Sequence, residues 1–210
     1  MKKILWIIFA FLSITIGIFP FIFYCFDIPF GITNLKEDWI LSNIYWKFGF
    51  HIHIIFGALA LLIGWMQFIS NFKNQYKQWH RKIGIIYVFS VLVSSIAAIS
   101  SSFFANGGKI AFVGLFTIAS IWFITTYKGY VYAKQSKISL HQKMMIYSYA
   151  ATFGGVTLRI WLPLLINYLN DFNLAYDIAC WMSWVPNLII ANLIIAKNKK
   201  SKPKKIPEIR

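Results

Sequence analysis

Six long apolar stretches constrain the fold of this chain more than any other feature of its sequence. Crossing the hydrocarbon core of a bilayer takes about 20 apolar residues, because a helix rises only about 1.5 Å per residue. The backbone there must satisfy its own hydrogen bonds, which favours α-helices. We therefore predict an all-α, polytopic membrane protein, a six-transmembrane-helix bundle that forms a single membrane domain over residues 1–210. The predicted helices cover about residues 4–24, 48–72, 83–104, 110–132, 144–169 and 178–196, followed by a basic tail at 197–210.

Charge is distributed unevenly between the connections of these helices. Basic residues concentrate in alternate connections and in the tail, whereas five of the six acidic residues fall in the other connections. Because basic loops stay in the cytoplasm, this pattern predicts that both termini are cytoplasmic. The same loops would contact anionic lipid headgroups at that face, which accounts for the net charge of +15 without a nucleic-acid partner. The composition, 59% hydrophobic and 13% charged, excludes a soluble domain of this length.

Small residues recur at every third or fourth position on three of the helices, and the histidines continue these stripes. Small residues let membrane helices approach closely, so the stripes predict faces that pack against other helices. His53 lies on the stripe of the second helix, His80 on that of the third and His141 on that of the fifth. Arg159 shares the face of His141.

Arg159 is the most costly residue of the chain to place in a membrane, because a charge within a transmembrane helix must be paired or hydrated. Together with His53 it is predicted to form an outer polar site. Asp171, Asp177 or an external anionic ligand would neutralise the guanidinium. In the alternative interpretation, the side chain extends outward to the lipid headgroups.

His80 and His141 are predicted to begin the third and fifth helices at equal depth on the cytoplasmic side. Neutral imidazole is an axial ligand of haem iron, so these histidines are candidate metal ligands for one haem b held between two helices. Gly84 would give the macrocycle room, and Arg81 and Lys143 would pair with its propionates.

A simpler interpretation of both histidines is that they are polar residues at helix starts. It carries more weight, because the chain lacks a haem-attachment motif such as Cys-x-x-Cys-His. A second, outer haem is not expected at His53, which has no histidine counterpart on the fourth helix. Cys25 and Cys180 would both lie near the outer face, where we interpret them as separate thiols rather than a disulfide.

Five short motifs follow one another along the second to sixth helices. They are His53 with Gly57-Ala58-Leu59; Trp79-His80-Arg81-Lys82-Ile83-Gly84 with Tyr87; His141 with Met144-Met145-Ile146 and Ser148-Tyr149-Ala150; Thr157-Leu158-Arg159-Ile160-Trp161-Leu162-Pro163; and Ser183-Trp184-Val185-Pro186-Asn187. This ordered set resembles a bacterial family of predicted membrane proteins called domain of unknown function 2306. The resemblance implies a multi-pass protein of the bacterial plasma (inner) membrane, and it implies no activity.

A weaker likeness is to transmembrane cytochromes b of the ascorbate-dependent type, whose histidines lie on alternate helices, as His80 and His141 do here. This chain lacks their second ligand pair, so the likeness implies at most a single haem. Motifs typical of hydrolases, phosphate-binding loops, zinc proteases and dinucleotide-binding enzymes are absent, and enzymatic activity is left undecided.

Three functional hypotheses follow, with the oligomeric state left open. The first is an electron-transfer protein with one b-type haem between His80 and His141. The second is a transporter or channel-like protein for a small anionic solute or protons, with His53, Ser148, Thr152 and Arg159 along its pathway. The third is a structural or assembly protein of the membrane.

Overall fold

The computed structural model of this chain describes residues 2–28, 33 and 36–200, and its regular structure is helical throughout that part. The helices are α1 (Lys2–Cys25), α2 (Asp38–Ser42), α3 (Ile44–Gly64), α4 (Ser70–Gln75), α5 (Lys77–Ser102), α6 (Gly108–Lys134), α7 (Ile138–Thr152), α8 (Gly154–Leu169), α9 (Phe172–Met182) and α10 (Val185–Lys200). Six helical stretches are long and apolar enough to cross a membrane. The predicted all-α fold with six spans is confirmed. Most of the predicted basic tail lies outside the described residues.

The spans begin and end at different residues from those predicted. The second was predicted at 48–72, but α3 begins at Ile44 and passes into a 3₁₀ turn at Trp65–Phe68. Asn43 caps this helix, because its Oδ1 accepts hydrogen bonds from the N–H groups of Tyr45 and Trp46 at 3.0 and 3.1 Å. The third span begins at Lys77 rather than at 83. Predictions from hydropathy leave out the charged first turn of such a helix. That turn is still helical, although it extends past the apolar part of the span.

The fifth and sixth spans are each divided into two helices. The fifth breaks at Phe153, beside the pair Gly154 and Gly155, since adjacent glycines weaken a helix. The sixth breaks at residues 183–184, where Pro186 lacks the N–H group that would continue the hydrogen-bond ladder. The remaining spans, predicted at 4–24 and 110–132, run from Lys2 to Cys25 and from Gly108 to Lys134.

Asn187 joins these two breaks. Its Nδ2 donates to the carbonyl of Ser183 at 2.9 Å and to Thr157 Oγ1 at 3.1 Å. Thr157 Oγ1 also donates to the carbonyl of Ser183, and Asn187 reaches the carbonyl of Ala150 at 3.4 Å. The two irregular segments therefore lie side by side within the bundle.

The two faces of the bundle differ in charge. The ends of α1, α5 and α8 lie on one side, which we call the acidic face because it carries Asp27, Glu37, Asp38 and Asp171. The opposite side, the basic face, carries Arg81, Lys82, Lys134, Lys137 and Lys143. The half of the bundle nearer the basic face is filled by the main core, which includes Leu61, Tyr87, Val91, Trp122 and Tyr149. The half nearer the acidic face encloses a cavity.

Candidate functional site

The cavity in the acidic half has a volume of about 520 Å³. Its wall runs from Lys36, in the connection after α1, to Thr152 at the end of α7, and every transmembrane span contributes to it. Trp46, Phe50 and Trp122 are among its aromatic residues, and most of the rest are aliphatic or small. Cofactor and small-molecule sites are clefts of about 300–1,000 Å³ with mostly apolar walls and a few polar groups. The cavity therefore has the size and character of a ligand site.

Arg159 lies in this wall, on the second turn of α8. Its Nη1 donates to the carbonyl of Gly155, one turn earlier on the same helix, at 2.8 Å. Part of the side chain is exposed, and the residue contributes to the wall of the cavity. The guanidinium therefore bonds back toward the start of its own helix and lines the cavity.

Neither aspartate that sequence reasoning offered as a partner neutralises Arg159. Asp171 accepts a hydrogen bond from the N–H of Leu174 at 3.1 Å, as the N-cap of α9. Asp177 lies against Gly107 in the turn between α5 and α6, and its Oδ1 is buried without a hydrogen bond. Across the residues that the structure describes, the cavity wall holds no aspartate or glutamate. The predicted pairing of Arg159 with either aspartate is therefore not seen in the described part of the structure.

His53 lies on α3 and contributes to the same wall. Its Nδ1 is 3.2 Å from the carbonyl oxygen of Ser94 and 3.0 Å from Ser94 Oγ, which itself donates to the carbonyl of His53 at 2.8 Å. The ring stands edge-to-face with Trp122, with centroids 6.2 Å apart and planes at 87°. A Cβ at Gly57 would lie 3.2 Å from Ser94 Oγ, so glycine permits the close approach of α3 to α5. The structure thus places both residues of the predicted outer polar site, His53 and Arg159, on one cavity.

Lys36 is a cavity residue that sequence reasoning missed. Its Nζ donates to the carbonyl of Phe104, just beyond the end of α5, and the side chain is half-buried. Burial lowers the pKa of its ammonium group from the ordinary 10.5. In the sequence Lys36 is one of several charges in a connection, and no local pattern shows that this connection folds over the cavity.

A family comparison covers most of these residues. The family model described as "Predicted membrane protein (DUF2306)" matches residues 50–195, which is more than half of the chain. The chain belongs to this family. The matched region of this DUF2306 protein includes His53 and Arg159, whereas α1 and Lys36 precede it. No curated protein and no solved structure matches the chain, and the likeness to cytochromes b gains no support.

Five buried residues on α5, α6 and α7 form a second polar group in this DUF2306 protein, which we call the hydroxyl cluster: Tyr87, Trp122, Thr126, Ser148 and Thr152. Tyr87 OH is 2.8 Å from Ser148 Oγ and 2.9 Å from Thr152 Oγ1. Thr126 Oγ1 is 2.6 Å from Ser148 Oγ, and Trp122 Nε1 donates to Thr152 Oγ1 at 2.9 Å. Of the two hydroxyl residues in the predicted transport pathway, Thr152 reaches the cavity wall, whereas Ser148 is enclosed in this cluster.

The predicted haem ligands lie in the basic half, away from the cavity. His141 Nδ1 bonds to the carbonyl of Gly129 on α6 at 2.8 Å, and His80 lies half-buried on the first turn of α5. Each precedes by seven residues a member of the bonded pair Tyr87 and Ser148, so the two histidines lie at a similar level. Neither histidine belongs to the wall of the large cavity or of a shallower one near Lys109.

The residues predicted to support a haem there are arranged around these helix starts. Arg81 and Lys143 are exposed at the basic face. A Cβ at Gly84 would lie 3.6 Å from Gln67 Oε1, so this glycine contacts the 3₁₀ turn after α3. Haem ligation by His80 and His141 stays a prediction. The cysteines are both free, with Cys25 exposed and Cys180 buried.

Proposed function

We propose that this membrane protein is a carrier for a small organic anion, which it binds in the cavity through Arg159. One observation carries the proposal: a guanidinium within a transmembrane span faces a ligand-sized cavity whose described wall contains no acidic residue. An uncompensated charge in a membrane costs several kcal/mol, and a bound carboxylate or phosphate offsets that cost through charge-assisted hydrogen bonds. Lys36 and the imidazole of His53 add favourable contacts for an anion.

The walls indicate what kind of anion fits. Trp46, Phe50 and Trp122 supply apolar aromatic surface, and aliphatic residues of α1, α3, α6 and α8 add further apolar surface. Burial of apolar surface contributes about 25 cal/mol per Å², which an inorganic anion cannot use. A carboxylate with an apolar body is therefore favoured over chloride.

The broken helices support transport rather than binding alone. Secondary transporters bind substrates near the bilayer midplane, beside discontinuous helices whose two halves can move. Here the breaks at 153 and 183–184 lie next to each other, and both Gly154 and Ser183 reach the cavity wall. Rearrangement at these breaks would change which face the cavity opens to.

The test uses benzoate as an organic probe and chloride as an inorganic one. In proteoliposomes, Arg159→Met is expected to lower benzoate uptake and affinity at least tenfold, since it removes a charge partner worth about 2–5 kcal/mol. Arg159→Lys should retain part of both. Arg81→Met, which removes an exposed arginine at the basic face, serves as the matched control. Unchanged benzoate binding in Arg159→Met would contradict the proposal.

The orientation that we propose places the basic face in the cytoplasm of a bacterial cell and the cavity in the outer half of the plasma membrane. Cys25 provides a test, because it is exposed at the acidic-face end of α1 whereas Cys180 is buried. A membrane-impermeant maleimide should label Cys25 in intact cells. If Cys25 is labelled only in broken cells, the orientation is the reverse of the one proposed.

A second candidate function is the haem-based one, favoured by the similar level of His80 and His141 on α5 and α7. A haem held by both would be six-coordinate. Its low-spin spectrum should disappear in either His80→Ala or His141→Ala, and a spectrum that survives both changes would sink this candidate.

A further inference from the structure

We infer that the anion for which the cavity is built is an iron porphyrin, bound to the protein through Nε2 of His53. The inference rests on the proposed anion-binding function of Arg159, because the propionates of the porphyrin are the anionic groups that the arginine would hold. It assigns to His53 a role that the sequence argued against, since a pair of histidines was expected.

The hydrogen bonding of His53 suits a metal ligand. A metal-binding histidine commonly donates its other ring N–H to a backbone carbonyl, which fixes the ring and raises its basicity. Nδ1 of His53 has such an acceptor in the carbonyl of Ser94 at 3.2 Å. With the proton on Nδ1, the lone pair of the imidazole lies on Nε2, at the far edge of the ring. Ser94 Oγ in turn bonds to the backbone of His53, which holds α3 and α5 in register at this point.

The surroundings of His53 suit a flat, largely apolar macrocycle. The cavity of about 520 Å³ falls within the size range of cofactor sites, about 300–1,000 Å³. Gly57 follows His53 by one turn on the same wall and adds no side chain there, although Ile54 of that turn also lines the cavity. Trp122, perpendicular to the imidazole, and the other aromatic residues supply surfaces for ring contacts.

The charges match as well. An iron porphyrin of the haem type carries two propionates, and the described part of the cavity wall carries two basic side chains, Arg159 and Lys36. Arginine binds carboxylates in a bidentate manner, and ammonium groups bind them as point charges. The described part of the wall supplies no carboxylate to repel the propionates.

The wall also predicts the coordination number. Methionine, cysteine and a second histidine, the usual partners of an axial histidine, do not occur in the wall formed by the described residues. Tyr176, the other wall residue of a ligand type, is hydrogen-bonded to Cys180, so we expect His53 to be the protein ligand of the iron and the sixth position to stay open. Such an iron is high-spin and binds carbon monoxide when reduced, whereas an iron held between His80 and His141 would be low-spin and closed to carbon monoxide.

The experiment compares haemin with iron-free protoporphyrin IX on the purified full-length protein. Haemin should give a high-spin spectrum that, after reduction with dithionite, shifts on addition of carbon monoxide. His53→Gly should lose this spectrum and regain it when imidazole is added. His51→Gly is the matched control, because His51 lies on the same helix, is exposed and bonds to Tyr24 outside the cavity. Protoporphyrin IX, which needs no axial ligand, should still bind to His53→Gly and should weaken at least tenfold in Arg159→Met.

The possible results separate the two proposals. If the haemin spectrum of His53→Gly equals that of the unmodified protein, or if a low-spin spectrum vanishes in His80→Ala, then His53 is not the ligand. Haemin that binds without displacing benzoate would also overturn the inference. In each of these cases the carrier proposal stands as long as benzoate binding depends on Arg159. If benzoate binding does not depend on Arg159, the carrier proposal fails independently of any result with haemin.

Discussion

The two halves of the bundle differ in whether their polar side chains find partners within the protein. In the basic half, each member of the hydroxyl cluster is buried and bonded to another member. In the acidic half, Arg159 has one hydrogen bond, to a carbonyl of its own helix, and faces a cavity instead of a carboxylate. Polar groups that satisfy one another hold helices together, whereas a charge within a transmembrane span costs energy unless water or a ligand compensates it. The comparison therefore assigns architecture to the hydroxyl cluster, whose Trp122 and Thr152 also reach the cavity wall, and binding to the cavity around Arg159.

The hydroxyl cluster is complete in either direction of its hydrogen bonds. When Thr126 donates to Ser148, the chain continues through Tyr87 to Thr152, whose Oγ1 donates to the carbonyl of Ser148 at 3.0 Å. In the reverse order, Thr126 ends the chain by donating to the carbonyl of Trp122 at 2.7 Å. Each end has its own acceptor, so the cluster requires no ligand.

The largest expected effect comes from giving Arg159 a partner within the protein. A Cβ at Gly155 would lie 3.6 Å from Arg159 Nη1, so Gly155→Asp places a carboxylate beside the guanidinium. We expect benzoate affinity to fall about 100-fold, because the internal pair replaces the bound anion. Isothermal titration calorimetry on the purified protein measures this.

Gly155→Asn is the matched control for that change, because it has nearly the same shape without the charge. It should retain most of the affinity. Equal losses of benzoate affinity in the two variants would show that side-chain volume rather than charge is responsible. The proposed binding role of the charge at Arg159 would then be unsupported.

The second effect concerns packing in the basic half. A Cβ at Gly64 would lie 2.4 Å from Tyr149 and 2.6 Å from Tyr87. Gly64→Val should therefore destabilise the protein by about 1–3 kcal/mol through overpacking, measured by thermal unfolding in detergent. Benzoate affinity of the folded fraction should stay unchanged; a matching loss of affinity would indicate that the two halves are coupled.

A smaller effect is expected from a single hydroxyl group of the cluster. Tyr87→Phe removes the group that joins Ser148 to Thr152, and interhelical hydrogen bonds in membranes contribute about 0.6 kcal/mol on average, with a maximum of about 1.7. The loss should be seen in the same unfolding assay. Tyr45→Phe is the control, since Tyr45 is 78% exposed. If Tyr87→Phe unfolds no more easily than Tyr45→Phe, the cluster has no structural role.

The spacing of residues along the helices and the energetic cost of a charge in a membrane were sufficient to predict part of the packing and of the candidate site. The spacing of small residues predicted packing faces on the second, third and fifth helices, and Ala60, Ser94 and Ser148 of those helices are buried. The cost of a charge in a membrane singled out Arg159. These signals are local, because a helix presents fixed faces at fixed intervals along its sequence.

Contacts between helices that are distant in the sequence could not be predicted from the sequence. The partner of His53 is Ser94, 41 residues away on α5, and no repeat in the chain relates them. The connection carrying Lys36 crosses to residue 104, a distance of 68 positions. The charges in the connections were used to predict the topology. They did not indicate which charged side chain lies at the cavity.

Lys36 yields the smallest expected effect and the one that depends on pH. Burial lowers its pKa below 10.5, so the folded protein releases this proton at a lower pH than the unfolded chain does. Its contribution to anion binding should be lost as pH rises through that lowered pKa, while protein stability rises slightly over the same window, because the buried charge is removed. We expect benzoate affinity to fall about threefold in this window, as for the loss of a partly exposed ion pair. Lys36→Arg should keep the affinity constant there, because arginine stays protonated. If Lys36→Met loses the same benzoate affinity at alkaline pH, another group is responsible for the pH dependence. Lys36 would then have a structural role rather than a role in binding.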